Sequence, residues 1–345
     1  MGRNMMDWVD GMIRAEQKKG MPVLSFPAIQ KMGITVRELI GSGDYQAEAM
    51  RIVAEETPKA AASVSFMDLS VEAEAFGSAI HVSDDEVPTV VGSIISEEDE
   101  ADALEVPEVG AGRTGLYLEA MEKAAKLITD RPVFAGSIGP FSLTGRLMDV
   151  SEAMICCYEE PDMVHTVLQK VTGFLTRYIN AYRETGANGV VVAEPLAGVL
   201  SPDLAEEFSA AYMKQIVEQV QTDDFIVVYH NCGNSVIQQI GSICDTGCRV
   251  LHFGNAIRME EIVPLIPGNI AVFGNVDPAG QFRNGTPDSV KSATIALMEK
   301  CARYKNFIPS SGCDIPPLSS WDNIHAFFEG IDAFYERRDQ DGCFG

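Results

Sequence analysis

The chain has no run of about 18 apolar residues, the length a helix needs to cross a bilayer, and its first twenty residues, MGRNMMDWVDGMIRAEQKKG, carry charges throughout. Neither a membrane span nor a secretory leader fits that pattern, and the expectation is a soluble, cytoplasmic protein. Basic residues are scarce: 26 Lys and Arg stand against 50 Asp and Glu, a formal net charge of −24. A chain of that sign repels phosphate backbones, so nucleic acid is not an expected partner. The scarcity is uneven. Ten acidic residues and no Lys or Arg fall between Asp84 and Glu108, and no arginine lies between Arg14 and Arg37. The acidic stretch is either a solvated surface insertion, bracketed at 79–112, or an interface for a partner. Eight cysteines spread over 345 residues make no compact disulfide framework; in a reducing compartment such thiols are buried packing residues or metal ligands. Cys156, Cys157, Cys244 and Cys248 fall in segments of helical spacing and read as packing.

What is present is an alternation. With 46% apolar residues the chain can bury one large α/β core or two smaller ones. Short runs rich in Val, Ile and Phe occur at 22–28, 62–68, 132–137, 188–194, 225–231, 249–255, 270–275 and 306–312. Between them lie helical patterns, such as SEAMICCYEEPDMVHTVLQKVTGFLTRYINAYRETG and SPDLAEEFSAAYMKQIVEQVQ, each opened by a Ser. Continuous apolar strands imply a sheet covered on both faces, and eight of them alternating with helices predict a (β/α)₈ TIM barrel. The expected organisation is a single domain over 1–345, with an N-terminal helical extension over 1–20 and the acidic insertion following strand two.

In that architecture function sits at the C-terminal ends of the strands. The residues closing the runs are Asp68, Glu194, His230, Asn255 and Asn275, with Cys313 just past the last run. In VVYHNCGNS the strand pattern ends by presenting His230 and Cys232 two apart, and SSGCDIPP brings Cys313 to the same rim. Two thiols and an imidazole in one pocket have the composition of a three-ligand zinc site with an open fourth position. Spacing alone equally allows a hydrogen-bonded pocket histidine and two small buried cysteines.

Six segments carry a resemblance: FMDLSVEAEAFG (66–77), GSIGPFSLTGRL (136–147), YHNCGN (229–234), HFGN (252–255), FGNVDP (273–278) and PSSGCDIPP (309–317). Over nearly its full length the chain resembles the uroporphyrinogen decarboxylase superfamily, and within it the zinc-dependent corrinoid methyltransferase branch, of methylcobamide:coenzyme M methyltransferase type. In that branch the motif His-x-Cys followed much later by Cys binds zinc, which implies His230, Cys232 and Cys313 as ligands and catalytic residues. The implied reaction is methyl transfer between a corrinoid, as in methylcobalamin, carried on a separate small protein and an acceptor, commonly the thiol of coenzyme M. Zinc would strip the proton from the thiol, and the corrinoid would supply the organometallic chemistry.

The remaining rim residues stay open at this stage. Glu194 is a displaceable fourth zinc ligand, an acceptor for His230, or a carboxylate satisfied by backbone amides. Asp68 matches a position where decarboxylases of the superfamily hold pyrrole nitrogens, or it is a strand-end cap. Asn255, Asn275 and Asp277 shape the rim, and Asp277-Pro278 reads as a turn. The alternatives on the same fold are a methyltransferase demethylating a methoxyaromatic, methylamine or similar donor, uroporphyrinogen decarboxylase, and a non-catalytic docking partner with structural zinc. The decarboxylase needs an arginine cluster for a polyanionic substrate, and the arginine-free N-terminal stretch does not offer one.

Overall fold

A computed structural model describes residues 3–340. The two terminal stretches included in the 1–345 domain expectation, with Cys343, lie outside the described residues. Among the described residues nine strands form: β1 Ser63–Val64, β2 Ala79–His81, β3 Thr89–Val91, β4 Val133–Ile138, β5 Gly189–Ala193, β6 Ile226–Asn231, β7 Val250–Phe253, β8 Ala271–Val276 and β9 Phe307–Ser311. Seven of them make one parallel sheet in the order β1-β4-β5-β6-β7-β8-β9, curled into a β/α barrel, and β2 and β3 form a separate antiparallel hairpin. Every residue of β4, β5, β6, β7 and β9 is buried, as expected of strands packed on both faces.

The first apolar run departs from expectation. Residues 22–28 fill the gap between β9 and β1 without forming a strand. Met21 N donates to Pro309 O at 3.0 Å and Val23 N to Ser311 Oγ at 3.0 Å on one side. On the other, Ser25 Oγ donates to Val64 O at 2.6 Å and Ala61 N to Gly20 O at 2.9 Å. Pro22 and Pro27 have no N–H to give to a ladder, so the ring is closed by single bonds to side chains and carbonyls.

Alternation along the strands separates two cores. Phe134, Val191, Ile226, Val228, Val250, Ala271, Phe273 and Ile308 point inward and pack with Met5 and Val9. Their neighbours, among them Val190, Val227, Tyr229, Leu251 and Val272, point outward into the helical layer. The helical extension expected over 1–20 is the shorter helix Met5–Arg14, capped by Asn4, whose Oδ1 accepts from Asp7 N at 2.8 Å. Its Trp8 ring lies 5.7 Å from that of Phe134 near the start of β4, so this helix floors the N-terminal end of the barrel and leaves the C-terminal end for chemistry.

Two long helical patterns break where the backbone demands it. The first divides at Glu160 into helices Val150–Glu159 and Pro161–Glu184, with Pro161 seated at a first-turn position where its missing N–H is harmless. Its opening cap is Asp149, accepting from Ser151 N, and not Ser151 itself. The second starts on Ser201 and passes through a π-turn, Glu206–Ala210, before helix Ala211–Val220. The acidic segment is anchored: Ile94 and Ile95 N–H groups donate to Leu147 O at 2.8 and 3.0 Å, and Lys170 Nζ donates to the carbonyls of Ala101 and Asp102. No described helix is long and apolar enough to cross a membrane.

Candidate active site at the C-terminal rim

The inward column of β6 runs Ile226, Val228, His230, so the period that packs two apolar side chains also aims the histidine into the barrel mouth. Parallel register sets Ala193, His230, His252 and Phe273 side by side across β5 to β8. Cys232 follows β6 by one residue and is held by a tight turn, in which Asn231 Oδ1 accepts from Gly233 N at 2.9 Å. Gly254 backs it so closely that a Cβ there would stand 2.4 Å from Cys232 Cβ. Cys313 arrives two residues after β9, with Gly312 N bonded to Val276 O at 2.7 Å.

These three side chains meet. Cys313 Sγ lies 3.4 Å from His230 Nε2, and Cys232 stands close enough to both for each to act on its thiol. The neighbouring Cys313 thiol, with the imidazole beside it, brings Cys232 down to about 4 against the upward push of burial. Cys313 correspondingly keeps its proton well above the usual thiol range; the two sulfurs share one proton as a pair. The other described cysteines behave oppositely. Burial pushes Cys157, Cys248 and Cys301 up to about 12 and Cys244 up to about 11, and Cys156 is also raised. Cys156 and Cys157 lie on helix Val150–Glu159 and Cys244 on helix Ile240–Asp245. Cys248 is buried in the turn before β7, outside the helix expected for it.

The donor set suits zinc. Ligand bonds of about 2.3 Å to sulfur and 2.0–2.1 Å to nitrogen at tetrahedral angles put the two donor atoms about 3.5 Å apart, close to the 3.4 Å between Cys313 and His230. Among the described residues no group of three or more His, Cys, Asp and Glu is placed so that it could hold a metal ion as it stands. Cys313 meets His230 directly, and Cys232 stands beside the pair.

The carboxylates at the rim are committed elsewhere. Glu194 is fully buried; its Oε1 accepts from Ser142 N at 3.0 Å and its Oε2 from Ser209 Oγ at 2.5 Å. It thus caps helix Pro140–Met148 and ties it to the π-turn, and a Cβ at Gly139 would sit 2.1 Å from its Oε1. Burial raises its carboxyl to about 7, partly offset by those hydrogen bonds. Both oxygens of Glu194 are thus hydrogen-bonded by the scaffold, which is one of the three roles open to it in the sequence. Asp68 accepts from Arg113 Nη1, from Tyr117 OH at 2.8 Å, and from Ser70 N and Oγ at 3.1 and 2.5 Å, which leaves it no free face for a substrate. Asn275 donates to the carbonyls of Gly254 and Ile257 at 2.8 and 2.6 Å, and Asp277 Oδ1 accepts from Ala279 and Gly280 N–H groups as a turn cap. Together with Asn255 they line a separate surface cleft of about 290 Å³ against helix Pro287–Cys301.

Sequence reasoning missed Arg113, His252 and Asp314. Arg113 bridges Asp68, Ser70 and Glu74, yet no local pattern signals a partner 45 residues away. His252 was reachable from alternation, since it continues the inward column begun by Val250. Asp314 is half-buried beside Cys313 with its Oδ1 covered, accepts from Met67 N at 2.9 Å, and is raised by desolvation to about 8.

The family model for uroporphyrinogen decarboxylase (URO-D) matches residues 21–334. The chain belongs to the uroporphyrinogen decarboxylase family. Relatives of two kinds are similar to it. The methylcobamide:CoM methyltransferase MtbA of Methanosarcina acetivorans is 27% identical over 332 residues, covering 92% of this chain and 94% of its own. Uroporphyrinogen decarboxylase of Coxiella burnetii is 25% identical over 288 residues, covering 79% and 77%. Among solved structures, a methyltransferase from Methanosarcina mazei shares the fold with a TM-score of 0.85 at 22% identity, over 96% of this chain and 98% of that one. Within this enzyme family the barrel mouth built from β5 to β9 is the place to look for chemistry.

Proposed function

We propose that the protein is a zinc-dependent methyltransferase that passes a methyl group from a corrinoid carried on a partner protein to a small thiol such as coenzyme M, working in the cytoplasm as one barrel domain. The observation that carries this reading is the approach of Cys313 Sγ to 3.4 Å from His230 Nε2, with Cys232 beside them. His230, Cys232 and Cys313 would hold the metal through one nitrogen and two sulfurs, leaving a fourth position for the acceptor. Bound there, zinc would supply the charge that keeps a thiol deprotonated at neutral pH. The chain's own residues do the rest. β6 and β9 fix the donors on opposite sides of the mouth, and the close pass at Gly254 holds Cys232 in place. The inward Phe273 and Met67 keep the floor beneath them dry. The partner's corrinoid would supply the methyl group: a carbon–sulfur bond would form as the carbon–cobalt bond broke, its electron pair staying on cobalt and the thiol proton leaving to solvent.

Two features weigh against decarboxylation. Arg113, the arginine built into this rim, is already neutralised by Asp68 and Glu74, and a chain of net charge −24 is ill matched to a substrate carrying many carboxylates. Two thiolates on the metal also make it a weak Lewis acid with a preference for soft sulfur, which favours a thiol acceptor over an ether donor. Metal analysis of protein purified without added zinc should give about one equivalent, as a single three-ligand site requires; Cys313→Ala should lose most of it while keeping its fold. Zinc-edge X-ray absorption should gain a third sulfur on addition of coenzyme M. Full zinc occupancy in Cys313→Ala sinks the ligand assignment, and a methoxyaromatic or methylamine that methylates cob(I)alamin while no thiol enters the zinc shell reverses the direction.

A further inference from the structure

The zinc reading above leaves one atom of His230 unaccounted for, and the inference drawn from it rests on that reading. On that reading Nε2 is given to the metal and the ring proton belongs on Nδ1, and His230 Nδ1 is buried with no hydrogen-bond partner. A buried N–H without an acceptor pays its full desolvation cost.

His252 carries the complement. It stands level with His230 in the β6–β7 pairing, and the two rings lie 4.6 Å apart, tilted by 35°. Its Nε2 is 2.7 Å from Ser311 O, which can only accept, so Nε2 holds the proton. Ser310 Oγ, 3.1 Å from the same nitrogen, gives its own proton to Met21 O at 2.6 Å and is a second acceptor. His252 Nδ1 is therefore a bare lone pair, and it too is buried and unpartnered. Neighbouring rings thus hold one orphan donor and one orphan acceptor.

We propose that His252 Nδ1 is the acceptor for the proton on His230 Nδ1, the contact being completed by a small rotation of the His230 ring or by one buried water. His252 is then a positioning residue: β9 and the closing segment fix its tautomer, and its tautomer fixes which nitrogen His230 offers to the metal.

The variants His252→Leu and His252→Asn separate this role from packing. Leucine fills the space without an acceptor, whereas Asn places Oδ1 where Nδ1 stood. Zinc dissociation constants, measured on the full chain by chelator competition, should weaken about 10- to 100-fold in His252→Leu, the usual loss for an outer partner of a metal-bound histidine. His252→Asn should stay near wild type. Wild-type affinity in His252→Leu, or equal losses in both variants, overturns the proposal. Wild-type protein that holds no zinc overturns the metal reading instead. Two-bond ¹⁵N–¹H spectra of the wild-type histidines then decide the pairing: protons on His230 Nδ1 and His252 Nε2 uphold it, and a proton on His230 Nε2 alone defeats it.

Discussion

Asp68 and Glu194 close strands in the sequence as a substrate carboxylate would, yet both are spent on the scaffold. The side chain of Asp68 is 0% exposed and that of Arg113 is 12% exposed, so each is the other's compensation. Arg113→Ala would leave Asp68 charged, buried and unpaired and would free Glu74. Removing one partner of such a pair costs about 3–5 kcal/mol, and urea unfolding of Arg113→Ala should show a midpoint lowered accordingly with an unchanged slope. A midpoint within about 0.5 kcal/mol of wild type, the spread of ordinary surface substitutions, would mean that Asp68 has other company. The same residues show what the sequence could and could not reveal. His230, Cys232 and Cys313 are legible because few roles suit a histidine and two cysteines at strand ends. Arg113 is not, because a guanidinium reaching back to Asp68 across an intervening hairpin leaves no periodic trace.

The elements follow the same division. β4 to β9 are readable because a strand buried on both faces must be continuously apolar. The run at 22–28 has the same composition, and proline at two of its seven positions turns it into an irregular closing segment. The floor helix Met5–Arg14 is amphipathic enough to be foreseen, but its destination is not: only the inward residues of β4, β6 and β8 show that it seals the barrel. Met5 is fully buried there. Met5→Ala should therefore cost about 2–5 kcal/mol, the range for large-to-small core substitutions. Because the floor lies at the opposite end from His230 and Cys313, zinc affinity should be unchanged. Calorimetry and chelator competition on the same preparation test both halves; a loss of zinc affinity matching the loss of stability would show that floor and mouth are coupled.

At the scale of the whole molecule, the −24 net charge and the buried carboxyls bias stability towards acid in two separable ways. Glu72 accepts from Ser137 Oγ at 2.7 Å and from Ile138 N at 3.2 Å but leaves Oε2 unpaired. Burial raises Glu72 to about 7, as it does Glu194, from an ordinary 4.5. A carboxyl whose folded value lies above its unfolded one contributes stability that is complete below about pH 4.5 and is lost as pH rises to about 7. The ceiling is about 3 kcal/mol for each. His252 acts in the opposite sense. Burial and the neighbouring His230 hold it well below 6.5, so folding weakens as pH falls below that value. Two carboxyls lose stability where one histidine gains it, so on these groups the stability of the metal-free protein falls as pH rises from about 5 to about 7. Repulsion among surface carboxylates adds to the loss above pH 6, but 1 M salt screens it within about 3 Å, whereas buried groups remain unscreened. Urea midpoints measured in 1 M NaCl from pH 5.5 to 8 should still fall above pH 6, and Glu72→Gln, which cannot ionise, should remove part of that fall, the rest belonging to Glu194 and to Asp314, raised to about 8. A midpoint that becomes independent of pH in high salt would assign the whole effect to the surface and leave Glu72 and Glu194 with ordinary ionisation.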